Sequence, residues 1–142
     1  MPRLKLAPLD TYRFEYRTTI KTRDVNYGGH LGNDAVVSLL QEARIDLLRN
    51  LGFTELDLGD NETGIIMNEL QVSYRAEGHL FDDIIIQSEV IKIRTASFRM
   101  AHRIARGEET LALAEIGLAA FDYKNRRLSA LPEIFLRKMA PA

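Results

Sequence analysis

Charged residues alternate with aromatic and β-branched ones at the start of the chain, from residue 12 to residue 23. Arg13, Glu15 and Arg17 occupy one set of alternate positions. The other set holds Tyr12, Phe14, Tyr16, Thr18, Ile20 and Thr22. A period of two with one polar face is typical of a half-buried strand, so this segment predicts one.

A second pattern, with helical spacing, follows a loop that holds three glycines. The spacing predicts a helix that Asn33 or Asp34 caps and that runs to about Leu51, where Gly52 ends it. The apolar stripe of this helix is formed by Val36, Leu40, Ala43, Leu47 and Leu51. Because the first three turns carry little charge before Glu42, we expect that half of the helix to be buried nearly all round.

The rest of the chain has the composition of strands separated by short turns. The predicted strands are Gly64–Tyr74, Asp83–Arg94, Ser97–Arg106 and Thr110–Lys124, and residues 132–139 predict a short helix. One long apolar helix and one antiparallel sheet must bury each other's apolar faces. The predicted fold class is therefore α+β, with a curved sheet wrapped around the helix. Uncovered sheet edges predict a homodimer or a homotetramer.

Length and composition narrow the class of protein. The 142 residues suit one domain over 1–142, with a loose N-terminal arm over 1–11. Nineteen basic residues balance twenty acidic ones, and a net charge of -1 argues against nucleic acid or a membrane as partner. There is no cysteine, no signal-peptide pattern and no uncharged run of about 20 apolar residues. We therefore expect a cytoplasmic protein.

Four arginines recur at short intervals in the second half of the chain: Arg94, Arg99, Arg103 and Arg106. One interpretation is a basic patch that meets the phosphates of a nucleotide-like ligand. The other is the solvated face of strands, which is the commoner arrangement for charged residues on a sheet.

Several segments, in order along the chain, resemble the 4-hydroxybenzoyl-CoA thioesterase-like family. The loop at 24–33 resembles that family's Asp-x-Asp-x-x-Gly-His-Val-Asn-Asn loop. The others resemble its Glu-Ala-Arg helix segment, its Tyr-x-x-Pro…Gly-Asp step and its Pro-Leu-Pro-Glu ending, at 42–44, 74–83 and 128–133. The likeness spans about residues 12–136. It implies the hotdog fold and acyl-CoA thioester hydrolysis.

Three positions depart from the family's pattern. The second loop aspartate, which is often catalytic in that family, is Asn26 here, and an amide is neither a general base nor a carboxylate nucleophile. The family's first loop asparagine is Gly32, and its helix tyrosine is Val36. The family's mechanism therefore does not transfer unchanged.

Thioester hydrolysis needs a group that polarises the carbonyl oxygen. A helix start offers unpaired backbone N–H groups and a partial positive charge that suit a developing oxyanion. Gly29, His30 and the first helical residues are the candidates, and the Asn26 amide would orient the carbonyl or the attacking water. We expect the substrate to contact the surrounding residues Tyr27, Gly28, Gly29, Leu31, Asn33 and Asp34.

The reaction also needs a carboxylate or a histidine that activates water or attacks the carbonyl. Glu42 is the first candidate, because it lies about two turns into an otherwise apolar helix, and a second hotdog subclass resembles this arrangement. A carboxylate buried there would suit a general base. Alternatively, Glu42 pairs with a cation such as Arg44 or a strand arginine. Asp34 is the weaker candidate, and Asp24 is expected to hold the loop together.

The three histidines do not have the spacing of metal ligands, so we expect no metal and no cofactor. His30 is predicted to organise the loop, although a base or donor role stays open for it. His79 is predicted to be solvated, and His102, on the apolar face of a strand, to be a satisfied core histidine. No Gly-x-Ser-x-Gly segment occurs, which argues against a serine-triad hydrolase.

The predicted function is hydrolysis of an acyl-CoA thioester to a free carboxylic acid and CoA. Glu42 would act as base or nucleophile, Asn26 would position the substrate, and the Gly29–His30 backbone would polarise the carbonyl. The alternative is a hotdog protein that binds an acyl-CoA or an acyl-carrier-protein thioester without hydrolysing it, as Asn26 would permit. A hotdog dehydratase or hydratase ranks third, because it needs a paired aspartate and histidine that we cannot place in this loop.

Overall fold

The computed structural model describes residues 5–140. In chain order the elements are β1 (Phe14–Thr19), α1 (Asn33–Asn50), β2 (Thr63–Tyr74), β3 (Asp83–Ile93), β4 (Ser97–Arg106), β5 (Glu109–Asp122), β6 (Arg127–Leu128) and α2 (Glu133–Met139). The strands form one antiparallel sheet in the order β1-β3-β4-β5-β2, and β6 pairs with the end of β5. The predicted α+β hotdog architecture, with one long helix against a curved sheet, is confirmed.

One hydrophobic core lies between α1 and the sheet. Every second residue of β3 and β4 is buried, as the alternation of a half-buried strand requires. The predicted helix stripe faces these residues with the buried side chains Val36, Leu40, Ala43 and Leu47. At one end of the core Phe135 of α2 packs on Phe98 of β4, with ring centroids 5.1 Å apart. Each large apolar side chain buried in this way contributes about 1.5–3 kcal/mol.

β1 is shorter than the strand predicted over residues 12–23. The chain leaves the sheet after Thr19, and a 3-10 turn follows over Thr22–Asp24. The carboxylate of Asp24 accepts the backbone N–H of Lys21 at 2.9 Å, which stabilises the turn. Such a local bond from side chain to backbone competes with strand pairing, and alternation alone does not reveal it.

The start of α1 differs from the prediction. Gly32 is the N-cap, while Asn33 and Asp34 lie in the first turn and no side-chain cap bond forms. The predicted stop at Gly52 is confirmed, since this glycine has a φ of 88°, which favours glycine after a helix. The expected burial all round is wrong for this chain. Ser38 in the second turn is exposed, because the sheet covers only one side of the helix.

The N-terminal arm is irregular, yet it is attached to the sheet. Residues 1–4 of the predicted arm lie outside the described residues. The carbonyl oxygen of Leu6 accepts a hydrogen bond from Arg75 Nη2 at 2.5 Å. The backbone N–H of Leu9 donates to the hydroxyl of Tyr12 at 3.0 Å. The described part of the arm is therefore held by specific contacts.

Candidate active site

The loop before α1 is fixed by hydrogen bonds among its own residues. The backbone N–H of Asn26 donates to the carbonyl of His30 at 2.9 Å, and the N–H of Gly29 donates to the carbonyl of Asn26 at 3.0 Å. The side-chain oxygen of Asn26 accepts the backbone N–H of His30 at 3.3 Å. The ring Nδ1 of His30 lies 3.1 Å from the carbonyl oxygen of Leu31. Asn26 and His30 therefore organise the loop.

This bonding changes which backbone amides can polarise a carbonyl. The N–H groups of Gly29 and His30, two predicted donors, already donate within the loop. The first intrahelical bond of α1 runs from Val36 N–H to Gly32 at 3.2 Å. Within residues 5–140, the N–H groups of Asn33, Asp34 and Ala35 have no acceptor. The free donors are therefore those of the first helical turn, as a helix start dictates.

The predicted substrate contacts of the loop differ in exposure. Tyr27 is fully exposed, and Gly28 and Gly29 are exposed as well. Leu31 is only 7% exposed, and its N–H donates to the carbonyl of Gly78 at 2.8 Å. The side chain of Leu31 packs into the core, and its contact with the substrate stays a prediction.

An open cavity of about 320 Å³ lies between the first half of α1 and the turn that follows β1. Its lining is mostly polar: Arg23, Asp24, Asp34, Ala35, Ser38, Leu39 and Glu42. Two of the three candidate acids and bases, Asp34 and Glu42, therefore face one space together with Asp24. Asp24 is buried and bonded to the turn, which leaves Asp34 and Glu42 as the exposed carboxylates of the cavity.

Glu42 is held loosely in this cavity. Its side chain is 44% exposed, so the burial predicted for it is wrong. Arg23 Nη2 lies 3.8 Å from one carboxylate oxygen, and the hydroxyl of Tyr16 donates to the other at 3.5 Å. Burial, followed by the nearby charges of Glu42 and Asp46, raises the pKa of Tyr16, so its hydroxyl keeps its proton near neutral pH.

The alternative partner predicted for Glu42 is engaged elsewhere. Arg44 projects from another side of α1, since two residues turn a helix by about 200°. Its side chain is 6% exposed, and its Nε donates to Glu55 at 2.6 Å. The cation beside Glu42 is instead Arg23, which comes from the turn after β1.

The free amides and Glu42 are not brought together within one chain. Asp34 and Glu42 are eight residues apart, which corresponds to about 12 Å along the helix axis. A single carbonyl oxygen therefore cannot accept from the first-turn amides while Glu42 acts on its carbon. Arg23 and Tyr16 are the polar groups beside Glu42.

The other histidines lie away from this cavity. His79 is exposed, as predicted. His102 is buried in the core, and its Nδ1 lies 2.7 Å from the hydroxyl of Ser88. Its Nε2 has no partner within residues 5–140, so the predicted satisfied histidine is only half satisfied. Burial, followed by the charge of Arg44, lowers the pKa of His102 to about 3, so the ring is neutral.

The recurring arginines are mostly engaged with neighbouring strands. Arg99 bonds Glu69 and Glu115 at 2.6 and 2.8 Å. Arg103 donates to Gln87 and Thr110, and Arg106 pairs with Asp82 and Glu109. These bonds favour the interpretation of a solvated strand face. In the described part of the chain, no three histidine, aspartate or glutamate residues form a metal-binding group, and no helix is long and apolar enough to cross a membrane.

Sequence reasoning missed Tyr16 and Arg23 as neighbours of the candidate base. Tyr16 belongs to the less polar face of β1, where its ring is indistinguishable from a core aromatic. Arg23 is one of many charged residues after that strand. Only the turn over Thr22–Asp24 directs Arg23 towards α1, and alternation does not predict this turn.

Solved structures share this fold. A protein from Aquifex aeolicus matches with a TM-score of 0.83 at 16% identity, over 89% of this chain and 99% of that chain. A 1,4-dihydroxy-2-naphthoyl-CoA thioesterase from Synechocystis matches with a TM-score of 0.80 at 15% identity, over 89% of this chain and 94% of that chain. At such identities the comparison establishes the α+β hotdog fold, and the fold alone.

Comparison of the sequence with protein families establishes the family of this chain. Residues 20–139 match the model of the thioesterase-like superfamily, and because this match covers most of the chain, the chain belongs to that superfamily. The chain is also similar to an Escherichia coli protein called acyl-CoA thioester hydrolase YbgC. The two are 26% identical over 126 residues, which are 88% of this chain and 94% of that protein. The thioesterase family expected from the sequence is confirmed.

Proposed function

We propose that this protein hydrolyses acyl-CoA thioesters to a free carboxylic acid and CoA. The observation that carries the proposal is the Glu42 carboxylate, which faces an open cavity without a tight ion pair. A carboxylate that is not locked into a short salt bridge can take a proton from water or attack a carbonyl carbon. Family membership and the similarity to an acyl-CoA thioester hydrolase support the same reaction.

The chemistry follows from what surrounds Glu42. The carboxylate takes a proton from water, the water oxygen bonds to the carbonyl carbon, and the carbon–sulfur bond then breaks. The departing thiolate receives the proton, so that acid and thiol are released. Arg23 and the hydroxyl of Tyr16 lie beside Glu42 and would stabilise the oxyanion. Direct attack by Glu42 would give an acyl-enzyme instead, which water then cleaves.

The helix start has a separate role in this proposal. The N–H groups of Asn33, Asp34 and Ala35 would bind a polar group of the CoA arm, about 12 Å from Glu42. Asn26 and His30 would hold the loop in shape and position the arm rather than act on the thioester. Tyr27, Gly28 and Gly29 are the exposed loop residues proposed to contact it.

We also propose that the protein works as a homo-oligomer, either a dimer or a tetramer. β1 and β2 are the edges of the sheet, and an exposed edge is a template for pairing with another chain. Met67 on β2 is 44% exposed, Tyr74 at the end of β2 is 49% exposed, and Ile45 on α1 is 44% exposed. Size-exclusion chromatography with light scattering tests this, and a monomer at all concentrations would contradict it. A cytoplasmic location is likewise a proposal, which cell fractionation tests.

A free-thiol release assay across short, long and aromatic acyl-CoAs tests the function. Hydrolysis predicts stoichiometric thiol and acid from at least one of them, and loss of release in Glu42→Gln. The matched control is Glu62→Gln, which removes an exposed carboxylate outside the cavity. Binding of acyl-CoA or acyl-carrier protein without thiol release would overturn the proposal in favour of the binding protein.

A further inference from the structure

One side of α1 lines two neighbouring cavities. Asp34, Ala35, Ser38, Leu39 and Glu42 line the 320 Å³ cavity described above, here called the outer cavity. A second cavity of about 170 Å³, the inner cavity, continues along the same helix side at Ala43, Asp46, Leu47 and Asn50. Steps of one, three and four residues keep all these positions on one side of a helix. The two cavities therefore follow one another along α1, the outer one against the turn after β1 and the inner one against β1 itself.

The contact between Tyr16 and Glu42 joins a residue of the inner cavity to a residue of the outer cavity. Tyr16 lines the inner cavity and Glu42 lines the outer cavity, and the hydroxyl donates to the carboxylate at 3.5 Å. At 3.5 Å this contact is longer than a usual O–H···O bond of about 2.5–3.0 Å, so a substrate group can displace it. A thioester carbonyl placed between the two residues would have the outer cavity on one side and the inner cavity on the other.

The inner cavity suits an uncharged acyl group. Phe14, Ala43, Leu47 and Leu51 provide apolar walls. Two carboxylates, those of Glu15 and Asp46, also line it, together with one cation, Arg13. Because Arg13 is already paired with Glu89 at 2.8 Å, the two carboxylates would repel an anionic substituent. A protein cavity of about 150 Å³ holds one benzene molecule. A volume of 170 Å³ therefore corresponds to one six-membered ring or to about six carbons of a chain.

Ser88 marks where such a group must stop. Ser88 lines the inner cavity and is 2% exposed, and its hydroxyl bonds the buried ring of His102 at 2.7 Å. His102 itself is 1% exposed and has a second ring nitrogen without a partner in the described chain. A longer apolar chain would press methylene groups against this desolvated polar pair, which is unfavourable.

We propose that the inner cavity is the acyl-specificity pocket of this protein, selecting uncharged acyl groups of ring size or about six carbons, with Ala43, Leu51 and Ser88 setting the limit. This proposal rests on the proposed thioesterase function and assigns the substrate class of that site. It predicts that hexanoyl-CoA and benzoyl-CoA are better substrates than decanoyl-CoA or the anionic succinyl-CoA.

The test is the profile of kcat/KM for acetyl-, hexanoyl-, benzoyl-, decanoyl- and succinyl-CoA in three variants. Ala43→Leu fills the inner cavity, and it should lower the hexanoyl-to-acetyl ratio of kcat/KM at least tenfold, since one methylene in an apolar pocket is worth about 10–200-fold. Leu51→Ala lengthens the cavity and should raise the decanoyl-to-hexanoyl ratio. Leu128→Ala, an exposed position on β6 outside both cavities, is the control and should leave both ratios unchanged.

Direct binding separates this proposal from the proposed function. Calorimetric titration of hexanoyl-CoA should show at least tenfold weaker binding to Ala43→Leu than to the unmodified protein, whether or not thiol is released. If Ala43→Leu does not fold by circular dichroism, the chain-length shift of Leu51→Ala decides, because Leu51 is only half-buried. Unchanged acyl-chain ratios in the folded variants, together with unchanged hexanoyl-CoA affinity, would overturn the proposal. Absence of thiol release with the expected binding differences would overturn the thioesterase function alone.

Discussion

Two charged residues of α1 lie two positions apart and have opposite surroundings. Arg44 is buried, and a short bond of 2.6 Å joins it to Glu55. Glu42 is nearly half exposed, and its closest charged partner, Arg23, lies 3.8 Å away. The buried charge has lost its water and depends on its partner, so the pair fixes the structure. The exposed charge keeps water within reach and depends on no tight partner.

This difference separates a structural charge from a reactive one. A carboxylate in a short, buried pair is neither accessible to substrate nor basic enough to take a proton. Glu42 has neither restriction. It faces the outer cavity, which Arg23 and Asp34 also line. We therefore expect removal of the Glu42 carboxylate to affect catalysis, and removal of the Glu55 carboxylate to affect stability.

The largest expected effect is on catalysis. Glu42→Gln should lower kcat for the best acyl-CoA about 10³-fold, within the range for loss of a general base. The melting temperature should change little, because the pair with Arg23 is exposed and long. Thiol release tests the expected loss of kcat, and thermal denaturation of the same preparation tests the unchanged melting temperature. Full activity in Glu42→Gln would show that another group is the base.

The next effect is on stability. Glu55→Ala leaves Arg44 buried without its anion and should lower the free energy of unfolding by about 3 kcal/mol. Arg44→Met should lower the free energy of unfolding by less, because Glu55 is 31% exposed and can regain water. Urea unfolding followed by circular dichroism measures both. Equal losses, or a smaller loss for Glu55→Ala, would contradict the assignment of Arg44 as the buried member of the pair.

The buried histidine near Arg44 predicts a pH dependence. The pKa of His102 is about 3 in the folded protein and about 6.5 in the unfolded chain, so only the unfolded chain gains a proton between these values. The stabilisation is complete above pH 6.5 and is lost as the pH falls towards 3. From pH 7 to pH 5 the loss should be about 2 kcal/mol. The free energy of unfolding of His102→Gln, measured in urea, should not show this loss between pH 7 and pH 5. The same slope of that free energy against pH in both proteins would contradict the prediction.

The smallest effect concerns the loop. Asn26→Asp keeps an oxygen that accepts the N–H of His30, so activity should change by no more than about threefold, or roughly 0.6 kcal/mol. Asn26→Ala, which removes that acceptor, should lower activity further by loosening the loop. Steady-state thiol release measures both variants. A rise of tenfold or more in Asn26→Asp would move the catalytic carboxylate from Glu42 to the loop.

Much of the fold was predictable, because alternation and helical spacing are local properties. The strand at Ser97–Arg106 and the stop at Gly52 agree with the structure, and the other long strands agree within two residues at either end. The end of β1 was not predictable from alternation, because it depends on a bond between Asp24 and Lys21.

The candidate site was harder to predict than the fold. Helical spacing identified Glu42 but gave it the wrong burial, because spacing does not reveal that the sheet leaves one side of α1 open. Its neighbours Tyr16 and Arg23 are more than 15 residues away in the chain, and the partner of Arg44 comes from a turn after the helix. Only the packed structure brings these groups together.

The most direct test is a crystal structure with a hexanoyl-CoA analogue in which a methylene group replaces the sulfur, so that the carbonyl is kept and hydrolysis is blocked. We predict that the carbonyl carbon lies within about 3.5 Å of a Glu42 oxygen, or of a water bound to it, and that the acyl chain ends at Ser88. A carbonyl bound instead at the Asn26–Gly29 loop, with Glu42 about 10 Å away, would contradict it.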